Sequence, residues 1–320
     1  MVKYSCETCQ KTFAQKGHLE DHNNRKRPCK KDNTIEALVE KKTQEALSKM
    51  NEGSVKIETT TTTIMQSNTS VATTPLNINP SPLRYPGGKT RAIHIIYEYI
   101  RTYFPQRKQI LSPFFGGGSL ELFLSVNGYN VYGNDLFIPL YNFWITKQTE
   151  CETLATKLKE NMIISKDKFH ELRNSIMTEP DKIKKAMSYF IINRTSFSGA
   201  TLCGGFSEQA SKGRFTESSI KRLCECNVNS IVFSNLDCNI FIDEHPETTD
   251  TIIYADPPYY IDKFIYGKNG DMHENFDHVK FSQTIRKRKD WIVSYNDCEY
   301  IRKLYDGCRI FFCKMVLWHE

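Results

Sequence analysis

The chain has 320 residues, with 43 Lys and Arg against 37 Asp and Glu and a net charge of +6. That length suits one large domain with something small beside it. With no apolar stretch of 18 residues and no signal-like start after Met1-Val2-Lys3, the expectation is a protein neither membrane-spanning nor secreted. Eleven cysteines, an odd number scattered mostly through apolar runs, read as reduced thiols of an intracellular compartment (cytoplasm or nucleus, for a cellular or virus-encoded protein) rather than as a disulfide frame.

The basic excess is local. Residues 1–31 hold eight Lys and Arg against three acids, which leaves +5 of the +6 there and points to a polyanionic partner. The same segment carries Cys6, Cys9, His22 and Cys29 at intervals of two, twelve and six residues, with Phe13 and Leu19 in apolar positions. It resembles a two-Cys, two-His zinc finger whose last histidine is a cysteine, and the resemblance implies a structural zinc ion. So short a segment cannot bury a core, and the metal would supply the folding energy. The competing reading is four reduced residues in a basic tail. If the helix lay in a major groove, Gln15, His18 and Asp21 would face bases, with Arg25, Lys26 and Arg27 near phosphates. One finger offers little contact area, so a nonspecific DNA tether and a protein contact are both open. Residues 31–50 read as a charged helix and residues 52–82, with Thr59 to Thr63 in a row, as a flexible linker. The expected boundaries are a finger at 1–31, helix and linker at 32–80, and one large domain at 81–320.

That domain opens with Leu83-Arg84-Tyr85-Pro86-Gly87-Gly88-Lys89 and an amphipathic helix over residues 90–103. Residues 109–115 predict a strand, Gly116-Gly117-Gly118 a tight turn, and Ser119 the N-cap of a short helix. The turn lets a ligand approach the backbone, but neither G-x-G-x-x-G nor a following Lys-Ser/Thr is present, which argues against a nucleoside triphosphate. Residues 130–133 predict a second strand ending at Asp135, placed either to take ribose hydroxyls or to cap a helix before Leu136. Residues 150–229 break the alternation with polar helices and a Gly/Ser-rich stretch. A strand at 230–234 leads to Asp237. The apolar run 251–255 predicts a buried parallel strand closed by Asp256-Pro257-Pro258-Tyr259, because two prolines cannot continue a strand. A further strand is expected at 291–295.

These segments, in this order, resemble the Dam-like (α-group) adenine-specific DNA methyltransferases over residues 83–305. The match includes Asn193-Arg194-Thr195-Ser196-Phe197-Ser198-Gly199, Gly204-Gly205-Phe206-Ser207 and Ser294-Tyr295-Asn296-Asp297. The resemblance implies an α/β fold: a Rossmann-like methyltransferase sheet with helices on both faces and an inserted, mainly helical target-recognition region at about residues 150–229. It implies S-adenosylmethionine held by Tyr85, Lys89, Phe114, Gly116, Gly118, Asp135, Asp237 and Asp256. Catalysis falls to Asp256, Pro257, Pro258 and Tyr259, and DNA contacts to Arg194 and Arg214. The acid usual at the start of the glycine loop is Ser112 here. The family usually carries a further aromatic motif and strand beyond residues 309–317, and the sequence given ends at Glu320.

The chemistry follows from the residues. The lone pair of an exocyclic amino nitrogen is delocalised into its ring, so the nitrogen is a poor nucleophile until its hydrogens are held out of plane. The Asp256 carboxylate and Pro257 carbonyl can each accept one of those hydrogens while Tyr259 stacks on the base. A base inside a duplex must be flipped out to reach such a pocket. The partner implied is double-stranded DNA, with a restriction endonuclease as an open second partner. An inactive methyltransferase domain behind a DNA-binding finger, and a cytosine-N4 enzyme using the same pocket logic, are the alternatives.

Overall fold

The computed structural model describes residues 4–6, 12–13, 15–24, 76–85, 87–260 and 276–312. They fall into two compact units. One unit contains the N-terminal residues and residues 298–308, which include a short helix, Glu299–Leu304; the other contains the rest.

In the first unit, strand β1 (Tyr4–Ser5) pairs antiparallel with β2 (Thr12–Phe13), Tyr4 opposite Phe13, and helix α1 (Lys16–Asn23) follows. Cys6 and His22 are both buried, whereas Gln15, His18 and Asp21 are exposed. Cys9, Cys29, Arg25, Lys26, Arg27 and the predicted helix at 31–50 lie outside the described residues. Among the described residues no set of three or more His, Cys, Asp or Glu forms a metal cluster, so the four-ligand expectation has only two of its members in view.

The second unit is built on a parallel sheet. After helix α2 (Ile93–Tyr103) come strand β3 (Gln109–Ser112), helix α3 (Ser119–Ser125), strand β4 (Asn130–Asn134) and helices α4 (Ile138–Thr149), α5 (Cys151–Glu160), α6 (Lys166–Ser175) and α7 (Lys182–Thr195). Helices α8 (Glu208–Arg214) and α9 (Glu217–Glu225) complete the helical insertion. Strand β5 (Ile231–Ser234), α10 (Cys238–Glu244), β6 (Thr251–Ala255), α11 (His278–Ile285) and β7 (Trp291–Val293) then finish the sheet. The order is β5-β4-β3-β6-β7, every pair parallel, with Ser112 opposite Gly133 and Ile110 opposite both Val131 and Ile252. The order reverses direction at β3. Right-handed crossovers therefore put α3 on one face and α10 and α11 on the other, and the reversal opens a crevice at the carboxyl ends of β3 and β6. All five residues of β6 are buried, as its unbroken apolar run requires.

Several boundaries differ from the sequence reading for local reasons. β3 stops at Ser112 because Pro113 has no N–H to give the ladder. Ser119 is the first helical residue rather than the cap. Gly118 holds the cap position in the left-handed region (φ 65°, ψ 20°), and the Ser119 hydroxyl accepts from Thr90 Oγ1 at 3.2 Å. The predicted linker ends earlier than residue 80: Asn77 N donates to Asn127 Oδ1 (2.9 Å), and the Asn79 side chain bridges the Leu122 and Asn227 carbonyls and accepts from Asn227 N.

The core on the insertion side is aromatic. Phe143 and Trp144 of α4 pack on α7, where Phe190 stacks on Phe143 (5.9 Å, 6°) and Tyr189 lies fully buried. Trp144 is 5.2 Å from Phe115 and Phe233 5.0 Å, both edge to face, and the Trp144 and Phe233 rings stack on each other at 6.1 Å. Phe115 in turn lies against Gly133, where an added Cβ would come within 2.4 Å of the ring. Because that ring is buried and packed against Trp144, Phe233 and Gly118, Gly133→Ala should destabilise the domain by about 1–3 kcal/mol, read as a lowered Tm; an unchanged Tm would mean that Phe115 is free to move.

Candidate active site

The carboxyl ends of β3, β4 and β6 open on a cavity of about 420 Å³. Each wall follows from the local sequence. The Tyr85 side chain lies across Gly116 and Gly117, where an added Cβ would stand 2.9 Å from its ring and 2.6 Å from its Cβ, so only glycine lets the loop pass beneath it. Trp144 Nε1 donates to the Gly116 carbonyl at 3.0 Å, tying the loop to the aromatic core. Phe114 forms an apolar wall with Phe276 and Phe281, at 5.5 and 5.3 Å.

Asp135 holds the loop from the other side. Its Oδ2 accepts from Gly116 N and its Oδ1 from Phe137 N, both at 2.9 Å. The helix-cap alternative is thus half right: Asp135 bonds the turn into α4, and the N-cap position itself is Phe137. Asp237 caps α10, accepting from Asn239 N and Nδ2 at 3.0 Å each. Lys89, only 5% exposed, forms an ion pair with Asp256 Oδ2 and donates to the Gly87 carbonyl at 2.9 Å. Its ammonium also lies 5.0 Å from the centre of the Tyr259 ring. Asp256 Oδ1 has no hydrogen-bond partner among the described residues, although it is fully shielded. An orphaned buried carboxylate oxygen of this kind calls for a donor from a ligand.

Eight residues expected to hold a cofactor, Tyr85, Lys89, Phe114, Gly116, Gly118, Asp135, Asp237 and Asp256, all line this one cavity, and Pro258 joins them. Pro257 and Tyr259 adjoin it in sequence, and the Tyr259 ring faces the Lys89 ammonium that holds Asp256. The helical insertion corrects the reading of Arg194. It is 7% exposed, its Nε donates to the Arg214 carbonyl at 2.8 Å and its Nη1 to the Pro82 carbonyl at 3.3 Å, so it fastens the insertion to the domain entry. Arg214 itself is exposed. Sequence reasoning missed Glu121, a cavity-lining acid in α3. The visible signal was one charged residue inside the apolar run Leu120 to Leu124. Lys280 and Asn239 also line the cavity and had no comparable signal.

The acids here are tuned by burial. Burial pushes the Glu121 carboxyl up to about 7 and the Asp135 carboxyl up to about 6, the latter against two backbone N–H bonds. Burial also raises Asp256, opposed by Lys89. Acids whose folded pKa exceeds the unfolded value contribute stability at low pH and lose it as pH rises through the folded value. The ligand-free domain should therefore melt at progressively lower temperature as pH rises from about 4 to about 7. Asp135→Asn should flatten that slope; an unchanged slope would mean that Asp135 titrates normally.

The cavity fits a nucleoside carrying a cationic tail: apolar walls for a ring, backbone open at the glycine loop, and several carboxylates at its rim. Similarity to known proteins agrees with this geometry. Over 257 residues the chain is 23% identical to the DNA adenine methylase of Serratia marcescens, covering 74% of this chain and 90% of that protein. It is 22% identical over 248 residues to that of Vibrio cholerae serotype O1 (71% and 85%), and 23% identical over 189 residues to that of Salmonella typhi (57% and 65%). Residues 85–316 match the family described as D12 class N6 adenine-specific DNA methyltransferase, and that span contains the glycine loop, Asp135 and Asp256. The chain belongs to the D12 class and is an adenine-specific DNA methyltransferase.

Proposed function

We propose that this cavity holds S-adenosylmethionine, the methyl donor expected of the family, and that Asp256, Pro257, Pro258 and Tyr259 present the target adenine to it. The observation that carries the reading is the Lys89–Asp256 pair with its unpartnered Oδ1. Lys89 fixes one carboxylate oxygen, and the other is left to accept an amino hydrogen. The Pro257 carbonyl takes the second hydrogen, which leaves the nitrogen lone pair out of the ring plane. Bound S-adenosylmethionine supplies an electrophilic methyl on a sulfonium. Asp135 would receive the ribose hydroxyls while keeping its two backbone bonds, Phe114 and Asp237 would flank the adenine of the cofactor, and Tyr259 would stack on the flipped base. Arg214 and the insertion at residues 150–229 are the candidates for target DNA contact.

Asp256→Ala should cut methyl transfer by about a hundredfold or more while the fold persists, because one preorganised acceptor is removed. Lys89→Ala and Asp135→Ala should each weaken S-adenosylmethionine binding by calorimetry. Digestion of treated DNA to nucleosides should yield N6-methyladenine. Cofactor affinity unchanged in both variants would place the site elsewhere.

We also propose that the N-terminal unit binds one structural zinc through Cys6, Cys9, His22 and Cys29 and tethers the enzyme to DNA. The ββα order and the burial of Cys6 and His22 support it. Removing residues 1–73 should leave a methylating domain whose log affinity falls less steeply with log salt, by about 0.9 for each phosphate no longer neutralised. Metal analysis of the whole chain should find one zinc that Cys6→Ser with Cys9→Ser removes. An absent zinc, or an unchanged salt slope, would favour a protein-binding role.

A further inference from the structure

Helix α3 buries five successive residues, Leu120 to Leu124, and one of them is an acid. A glutamate is rarely this enclosed (4% exposed) without a cation beside it. Among the described residues no ion pair reaches Glu121. Lys89, whose charge reaches Glu121, is committed to Asp256 and the Gly87 carbonyl. What Glu121 does have is the hydroxyl of Ser112, itself fully buried, which donates to Oε1 at 2.8 Å. Both residues stand at the base of the glycine loop, Ser112 ending β3 and Glu121 in the first turn of α3, and Glu121 faces the cavity.

The other acids lining that cavity already have partners: Asp135 two backbone amides, Asp237 and Asp277 the helix starts they cap, and Asp256 the Lys89 ammonium on one oxygen. We propose that Glu121, oriented by the Ser112 hydroxyl, is the carboxylate that receives the positive charge of the methionine portion of S-adenosylmethionine. This rests on the cavity being the cofactor site. Geometry supplies the reason: an enclosed carboxylate with a hydroxyl on one oxygen and no cation is a site prepared for a cationic ligand. Glu121 is a positioning and binding group, and takes no part in the transfer itself.

A linkage follows. With its carboxyl pushed up to about 7 by burial, Glu121 is largely protonated in the free enzyme at slightly acid pH. An arriving cation favours the carboxylate, so binding must expel a proton below that pH and none well above it.

The test is calorimetry of S-adenosylmethionine with the full chain in buffers of differing ionisation enthalpy. At pH 6.5 binding should release about half a proton or more, and the release should disappear as pH rises, giving way to uptake above about pH 8 where the ligand's own α-amino group is neutral in solution. Glu121→Gln should abolish the release and weaken binding by about 10- to 100-fold at pH 8, the loss expected when a hydrogen bond to a charged group disappears. A merely structural glutamate would not produce the pH-dependent proton count. Should Glu121→Gln fail to fold, Ser112→Ala removes only the hydroxyl that favours the charged form, and should move the release to higher pH. S-adenosylhomocysteine, which keeps the ammonium and lacks the sulfonium charge, divides the two sources: release retained assigns the ammonium, release abolished assigns the sulfonium. Uncharged methylthioadenosine should bind without release. Wild-type affinity and proton release in Glu121→Gln would overturn the assignment of Glu121 if Asp135→Ala still weakens binding. If Asp135→Ala and Lys89→Ala leave binding unchanged as well, the cavity reading fails first.

Discussion

The site depends on one buried ion pair. Lys89 precedes α2 and Asp256 directly follows β6, 167 residues later, and their contact fixes where the Tyr85 segment lies against the sheet. A pair this enclosed contributes little net stability, because desolvation of both charges offsets their attraction. Breaking it is another matter, since either group left alone is an uncompensated charge in a low-dielectric cavity. The pair thus acts on position: it aims one carboxylate oxygen and leaves the second without a partner. The Tyr85 side chain can then cross the glycine loop only because Gly116 and Gly117 present no Cβ to it.

Behind that ion pair stands a chain of apolar packing. Phe115 fills the space over Gly133, the stacked rings of Trp144 and Phe233 pack against its ring, and the indole N–H of Trp144 holds the Gly116 carbonyl. A loop that must let a ligand touch its backbone is therefore held from beneath rather than by its own side chains. The helical insertion contributes to the same rigidity: α4 carries Trp144 and is pinned to α7 through the Phe143–Phe190 stack. Arg194, fastened to the Pro82 carbonyl, ties the end of α7 to the segment that leads into Tyr85. Aromatic rings and backbone carbonyls place the loop, and charged groups work on the cavity side.

The cavity concentrates carboxylates that burial makes harder to ionise. Each is relieved differently, by backbone amides at Asp135, by an ammonium at Asp256, and by the Ser112 hydroxyl among others at Glu121. A ligand bringing positive charge gains from all three, whereas a polyphosphate would be repelled by the same groups, in keeping with the absence of a phosphate-cradling loop.

The chain's own order of segments was enough to identify much of this. Tyr85 to Lys89, the three glycines, Asp135 and Asp256-Pro257-Pro258-Tyr259 are short, contiguous and chemically distinctive. Prolines and glycines mark strand ends because their backbone limits are local. The alternation of strands and helices gave the parallel sheet, and the unbroken run of β6 gave its burial. What only the tertiary structure decided concerns partners far apart in sequence. Arg194 looked like a DNA ligand and is a buried fastener, because its acceptors are carbonyls at Pro82 and Arg214. Asn77 and Asn79 looked like linker and are anchored to Asn127 and Asn227. Ser112 looked like a missing acid, and the structure puts Glu121 within hydrogen-bonding distance of it. That pairing crosses from a strand to a helix, and no periodicity records it.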